Sequence, residues 1–195
     1  MDGEAQGELA GIDSVHKISQ QIDGEWVAVS RPRSFDVENR GNGVQRLIAC
    51  GGLQTFERLA ASLEAPCFLL YILHTPRGEA VAGRYQSSQL DHAELTDFLD
   101  RFGPYLAGDA RHDIWLHSPA DKATVVWDRH DLIYVYGPHA QFSDVLEKLG
   151  YETGMAPDAD FLHMHHYREE FDPIAAEIVS TFSWTYSPLR PEDEQ

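Results

Sequence analysis

The sequence predicts an α+β fold, a mostly antiparallel sheet of about five to seven strands covered by three to four amphipathic helices. Three observations carry this. Apolar residues recur at helical spacing in several separated stretches. Three runs rich in β-branched and aromatic residues between 113 and 136 are joined by turns too short for a parallel crossover. One helix, strand, turn, strand pattern then recurs 43 residues downstream.

Taken along the chain, residues 1–20 hold no sustained apolar face and read as a flexible N-terminal lead-in to a single domain over 21–186. A short strand is expected at 26–30. Residues 31–43, polar and punctuated by Pro32, Gly41 and Gly43, read as a loop. Leu53, Phe56, Leu59, Ala60 and Leu63 lie at helical spacing until Pro66 stops them. Residues 67–74 are almost wholly apolar, which suits a strand buried on both faces. Thr75-Pro76-Arg77-Gly78 then turns the chain into a second strand at 80–85.

Asp91 and Glu94 stand at capping-box spacing ahead of Leu95, Phe98, Leu99, Phe102 and Leu106, with Gly103-Pro104 placed to distort the last turn. Strands follow at 113–117, 123–127 and 132–136. Phe142, Val145, Leu146 and Leu149 mark a third helix that ends at Gly150. A further strand is expected over 160–166. Asp172 as N-cap and Pro173 at the first helical position open the last helix, before an acidic tail at 187–195.

Residues 52–85 laid over 95–128 without gaps give six identities in 34 pairs, among them Leu73/Leu116, His74/His117 and Pro76/Pro119. Chance at ordinary residue frequencies gives about two. A duplicated α-β-β unit is therefore expected, with a decayed third copy over 142–163.

Fifteen Lys and Arg against 32 Asp and Glu leave a net charge of −17, which repels phosphate backbones and anionic headgroups and so disfavours nucleic acid and membranes as partners. Cys50 and Cys67 show no metal or redox spacing and fit two reduced thiols in the cytoplasm. No nucleotide-binding or serine-hydrolase signature occurs.

Candidate sites rest on histidines and aromatics. His74, His117 and His163 each follow a Leu, end strands that the repeat makes equivalent, and are candidate metal ligands, although hydrogen bonding to their own turns is the default for such residues. His165, with Glu169 nearby in a dense polar run, is a candidate acid/base residue. Trp115, Trp127, Tyr134 and Tyr136 lie on the three consecutive strands, where alternation turns some of them away from the core as a protein-binding surface.

The leading expectation is a soluble, non-catalytic, cytoplasmic protein-binding domain without cofactor or bound metal, such as an inhibitor or bacterial immunity-type protein of a basic partner. The alternative is a His-dependent, metal-assisted hydrolase. A homodimer is a third class.

Overall fold

A computed structural model describes residues 15–41, 43–157 and 161–193. Strands β1 (Ile18–Ile22), β2 (Glu25–Ala28), β3 (Ser34–Asn39) and β4 (Gln45–Cys50) precede helix α1 (Leu53–Ala60). β5 (Cys67–Leu73) and β6 (Gly83–Leu90) follow, then α2 (His92–Gly108), β7 (His112–Ser118), β8 (Ala123–Trp127), β9 (Leu132–Tyr136) and α3 (His139–Lys148). Short strands β10 (Glu152–Thr153) and β11 (His163–His165), helix α4 (Asp172–Thr181) and strand β12 (Thr185–Ser187) complete the order.

The fold is α+β, with a larger sheet than the sequence suggests. Nine strands run in the order β10-β3-β4-β9-β8-β7-β5-β6-β12, every pair antiparallel except β10 with β3. A separate three-stranded sheet has the order β11-β1-β2. The four α-helices of the described residues contribute to one core on one face of the large sheet, where Phe56, Leu59, Phe98, Phe142 and Ile178 meet Leu69, Tyr71, Leu116, Val125 and Val135. On the other face Ile48, Val126, Leu132 and Tyr134 form a smaller cluster with no helix over it among the described residues. One helix-covered face and one open face is the usual economy of an antiparallel sheet.

Several expected elements form as read. The α2 capping box is complete, with Asp91 accepting from the Glu94 N–H and Glu94 accepting from the Asp91 N–H at 2.9 Å each. The helix continues through Pro104 to Gly108. Strands β7, β8 and β9 match, and both 52–85 and 95–128 fold in the order helix, strand, strand.

Other elements differ. The span 31–43 contains β3, whose Phe35 and Val37 pair with Ala49 and Leu47 while Ser34, Asp36 and Glu38 take the open face. A strand polar on alternate residues resembles a loop when its partner is unknown. The strand expected at 80–85 begins at Gly83 and runs on to Leu90 through Gln86-Ser87-Ser88-Gln89, since its open face meets water and the Ser87 hydroxyl accepts the Leu69 N–H at 3.0 Å. The fold reaches into the expected lead-in, because Lys17, Ile18 and Ser19 are buried; residues 1–14 lie outside the described residues. At the other end Asp193 is buried and 3.5 Å from Arg84, so part of the acidic tail is held against the sheet. Asp172 does not cap α4. It is the first helical residue, and its carboxylate accepts from Arg77 and Arg111. Among the described residues no helix is long and apolar enough to cross a membrane.

Candidate functional site: three convergent histidines

The turn between β8 and β9, Asp128-Arg129-His130-Asp131, is unusually constrained. Asp128 Oδ1 accepts the N–H groups of His130 (3.0 Å) and Leu132 (2.8 Å), and Asp113 Oδ1 accepts that of Arg129 (2.7 Å). Trp127 Nε1 donates to Asp131 Oδ1 at 2.7 Å, and the Gly51 N–H donates to the Asp131 carbonyl at 2.8 Å. Asp131 sits at φ 58°, a left-handed conformation that Asp tolerates better than most residues. Buried Lys17 donates to the Asp128 carbonyl at 2.9 Å while lying 3.9 Å over the Trp127 ring. Burial lowers the Lys17 pKa, opposed by Asp131, Asp128, Asp113 and Asp109 around it.

Above this turn lies the small sheet. β1 pairs with β11 through Ile18↔His165 and Gln20↔His163, so His163 and His165, two apart, project from one face. That face meets His130. Ring centroids lie 5.2 Å apart for His130 and His163, 4.9 Å for His130 and His165, and 5.0 Å for His163 and His165. One nitrogen from each ring lies within 4.8 Å of the other two. Tetrahedral coordination with bonds of about 2.0–2.1 Å wants such nitrogens roughly 3.3 Å apart, so modest ring rotation closes the set.

Hydrogen bonding fixes which nitrogens are on offer. His130 Nδ1 donates to Asp128 Oδ2 at 3.0 Å, and His163 Nδ1 donates to the Phe161 carbonyl at 2.9 Å. His165 Nδ1 lies 3.3 Å from the Tyr167 hydroxyl, which can accept from it. In His130 and His163 Nδ1 must carry the proton and Nε2 is left with its lone pair, the arrangement that sets the tautomer in metal-bound histidines, whereas at His165 either the ring or the Tyr167 hydroxyl can be the donor. His165 Nε2 is buried and hydrogen-bonded by no described group. An orphaned buried nitrogen costs about 1–3 kcal/mol and calls for an explanation, which a bound cation supplies.

Burial, and then the neighbouring His130 and His163, lower the pKa of His165 to about 4, so it is neutral and ligand-competent near pH 7. Burial likewise lowers His166, and lowers fully buried His112 well below the usual histidine value. In all three the unfolded chain binds protons first, so stability is present above the ordinary value of 6.5 and is lost as pH falls through that value toward the lowered ones, about 4 for His165. Asp113, raised by burial, works in the opposite sense above its ordinary 3.8. The urea midpoint of metal-free protein should therefore fall between pH 7 and pH 5; a midpoint unchanged or higher at pH 5 contradicts these environments.

The other sequence candidates separate. His74 ends β5 and donates through Nε2 to Asp113 Oδ2 at 2.9 Å, both groups buried. His117 lies near the far end of β7, opposite Phe68, with Nδ1 3.0 Å from Thr124 Oγ1. Six residues of register separate them, roughly 20 Å along the strands, so His74, His117 and His163 do not form one cluster. Glu169 is exposed in a 3-10 turn after β11. Trp127 is buried in the helix-side core, whereas Trp115, Tyr134 and Tyr136 lie on the open face. His130 is the residue the sequence did not single out. Its signal was an Asp-x-His turn, which becomes informative only once β11 is known to lie above it.

A second polar group occupies the opposite face of β1. The Ser19 hydroxyl lies 2.7 Å from His166 Nε2 and 3.0 Å from His16 Nε2. At 3 % exposure it has little access to substrate and ties the two rings together.

Gly51 reports on the precision of the site. A Cβ there would stand 2.5 Å from the Asp131 carbonyl oxygen, and backbone rather than a flexible side chain has to yield. Gly51→Ala should cost about 1–3 kcal/mol in urea denaturation by displacing the turn that carries His130; an unaltered midpoint would show that the turn yields without cost. No family model, curated protein or solved structure matches the chain, so the geometry itself carries the functional argument.

Proposed function

We propose that the chain is a metal-dependent protein in which His130, His163 and His165 hold one divalent transition-metal ion, zinc by ligand type, at a centre suited to hydrolysis. The observation that carries this is the convergence of three imidazoles whose Nδ1 atoms are all engaged by oxygens, one of them with a buried and unpartnered Nε2. Three neutral protein ligands leave an ion its full charge and an open position, the pattern of catalytic rather than structural zinc, and such an ion lowers the pKa of bound water to about 7. The reading keeps the hydrolase alternative of the sequence with a different ligand set, since His163 stays while His130 and His165 replace His74 and His117.

Elemental analysis of untagged protein tests it. About one zinc per chain in the wild type and none in a His130→Ala/His163→Ala/His165→Ala variant is the expected outcome. Metal-free wild type that takes up no added zinc, or a triple variant that keeps its metal, removes the proposal.

The open face supports a second reading as a protein-binding surface. Trp115 lines a groove of about 410 Å³ with Phe68, Leu70 and Arg84, and the charge of −17 favours a basic partner. Two free, buried cysteines fit a reducing cytoplasm. Recovery of the same basic protein from native lysate by wild type but not by Trp115→Ser supports this; recovery by both removes it.

A further inference from the structure

Strand β2, Glu25–Ala28, is the outer strand of the small sheet, and among the described residues no strand lies along its other edge. The Asp23-Gly24 turn, with φ of 52° and 89°, is the left-handed two-residue type that holds β2 on β1. Which backbone groups β2 leaves free follows from the ladder. The Val29 N–H donates to the Ile18 carbonyl, and in the register Gln20↔Val27 and Ile22↔Glu25 antiparallel alternation gives Val27 and Glu25 the same inward direction. The N–H and C=O of Trp26 and Ala28 therefore point outward, away from β1.

A free edge of this kind is a template for another strand, and proteins that must stay apart blunt it with Lys, Pro or a bulge. Residues 25–28 include neither Lys nor Pro, and their register with β1 is unbroken. All four are exposed, Trp26 at 42 % and Val27 at 39 %, so neither face of the strand is packed under the rest of the domain. Ile22 and Met164, also exposed, extend the apolar surface across the sheet. The strand is complementary to its own reversal. With Val27 opposite Val27 of a second copy, Trp26 falls opposite Ala28, a large side chain against a small one, and Glu25 falls opposite Val29 rather than another acid. In that register the outward groups of Trp26 face those of Ala28, and Val27 forms the closer, non-hydrogen-bonded pair.

We propose that two copies of the chain associate through β2, antiparallel about a two-fold axis at the Val27 pair, which doubles the three-stranded sheet into one continuous sheet. Symmetry alone supplies the small residue opposite Trp26, which favours a second copy over a foreign strand. His163, Gln20 and Val27 lie in one cross-strand row, so the row continues into the second copy and sets the two His163 positions about 24 Å apart. The contact is apolar and hydrogen-bonded, between chains of charge −17, so the dimer tightens as salt screens their repulsion. It forms with or without zinc, and its failure leaves the metal-centre reading untouched.

Sedimentation equilibrium of the metal-free full chain under reducing conditions is the test. A reversible monomer–dimer equilibrium is expected for the wild type, tighter at high salt. Val27→Lys places two ammonium groups opposite each other, and Ala28→Pro removes an outward N–H without touching the β1 ladder; each should weaken the dimer about tenfold or more. Should one of them fail to fold, the other decides. Single cysteines read the register. On treatment with diamide, Val27→Cys should give a disulfide-linked dimer, because paired Cα atoms there lie about 4.5 Å apart. Glu25→Cys, set against Val29, should not, and the native Cys50 and Cys67 are buried. Wild type that stays monomeric throughout, a dimer that both variants keep, one that loosens with salt, or cross-linking at 25 in preference to 27 overturns the proposal. A foreign chain that copurifies with wild type and is lost with Val27→Lys assigns the edge to that chain and equally overturns self-pairing.

Discussion

Excess zinc added to metal-free protein is expected to raise the thermal midpoint by about 5–10 °C, and the His163→Ala/His165→Ala variant should show no such shift. A ligand at a hundred times its dissociation constant adds about 2.7 kcal/mol to stability, and each kcal/mol is worth about 2–4 °C in a chain of this length. The sharper version uses Asp128→Asn. Asp128 Oδ2 accepts the His130 Nδ1 proton. An amide presents a donor there, favouring the tautomer with its proton on Nε2, the atom the ion needs. Zinc affinity should fall about 10–100-fold while the Oδ1 contacts to the turn backbone are kept. A variant that binds zinc like the wild type would show that Asp128 serves the turn alone.

Arg111→Met is expected to destabilise the fold by about 3–5 kcal/mol, because it strands buried carboxylates. Each of the five guanidinium protons has a partner. Nε and Nη2 donate to Asp109 Oδ1 and Oδ2 at 2.9 Å each, Nη1 donates to Glu79 (3.2 Å) and Asp172 (3.0 Å), and Nη2 also donates to the Arg168 carbonyl (2.8 Å). The Arg111 and Asp109 side chains are both fully buried. These partners hold the 79 loop, the end of α2 and the start of α4 together. The Arg168 N–H donates to Asp109 and the Ala110 N–H to the His166 carbonyl, so the same knot fixes the chain just after β11. Urea denaturation measures the loss. A change under 1 kcal/mol would mean that the carboxylates find water in the variant and that the knot is not the brace its geometry describes.

How much of this was legible in the sequence depended on whether the deciding contact was local. The Asp91/Glu94 capping box and the β7-β8-β9 meander are short-range and read correctly from spacing. β3 did not, because the helix-side burial of Phe35 requires β4 beside it, and Ser34, Asp36 and Glu38 are polar for the open face. β1 was hidden in a polar lead-in whose partner, β11, lies nearly the whole domain away. The histidines divided along the same line. The His163/His165 alternation was visible within a strand candidate, but nothing near His130 announces that this strand will lie above it. The repeated Leu-His pairs drew attention to His74 and His117, whereas antiparallel pairing of β5 and β7 sends their ends in opposite directions.

The small three-stranded sheet also sets a timetable. His130 belongs to a tight hairpin that forms from adjacent residues, while β11 must find β1 across most of the domain, the kind of long-range closure that is slow and entropically late. β1 can pair with adjacent β2 early, but its other edge has no partner before residues 163–165 are present. The three imidazoles therefore meet only when β11 docks on β1, and an ion captured there would latch that pairing against reopening.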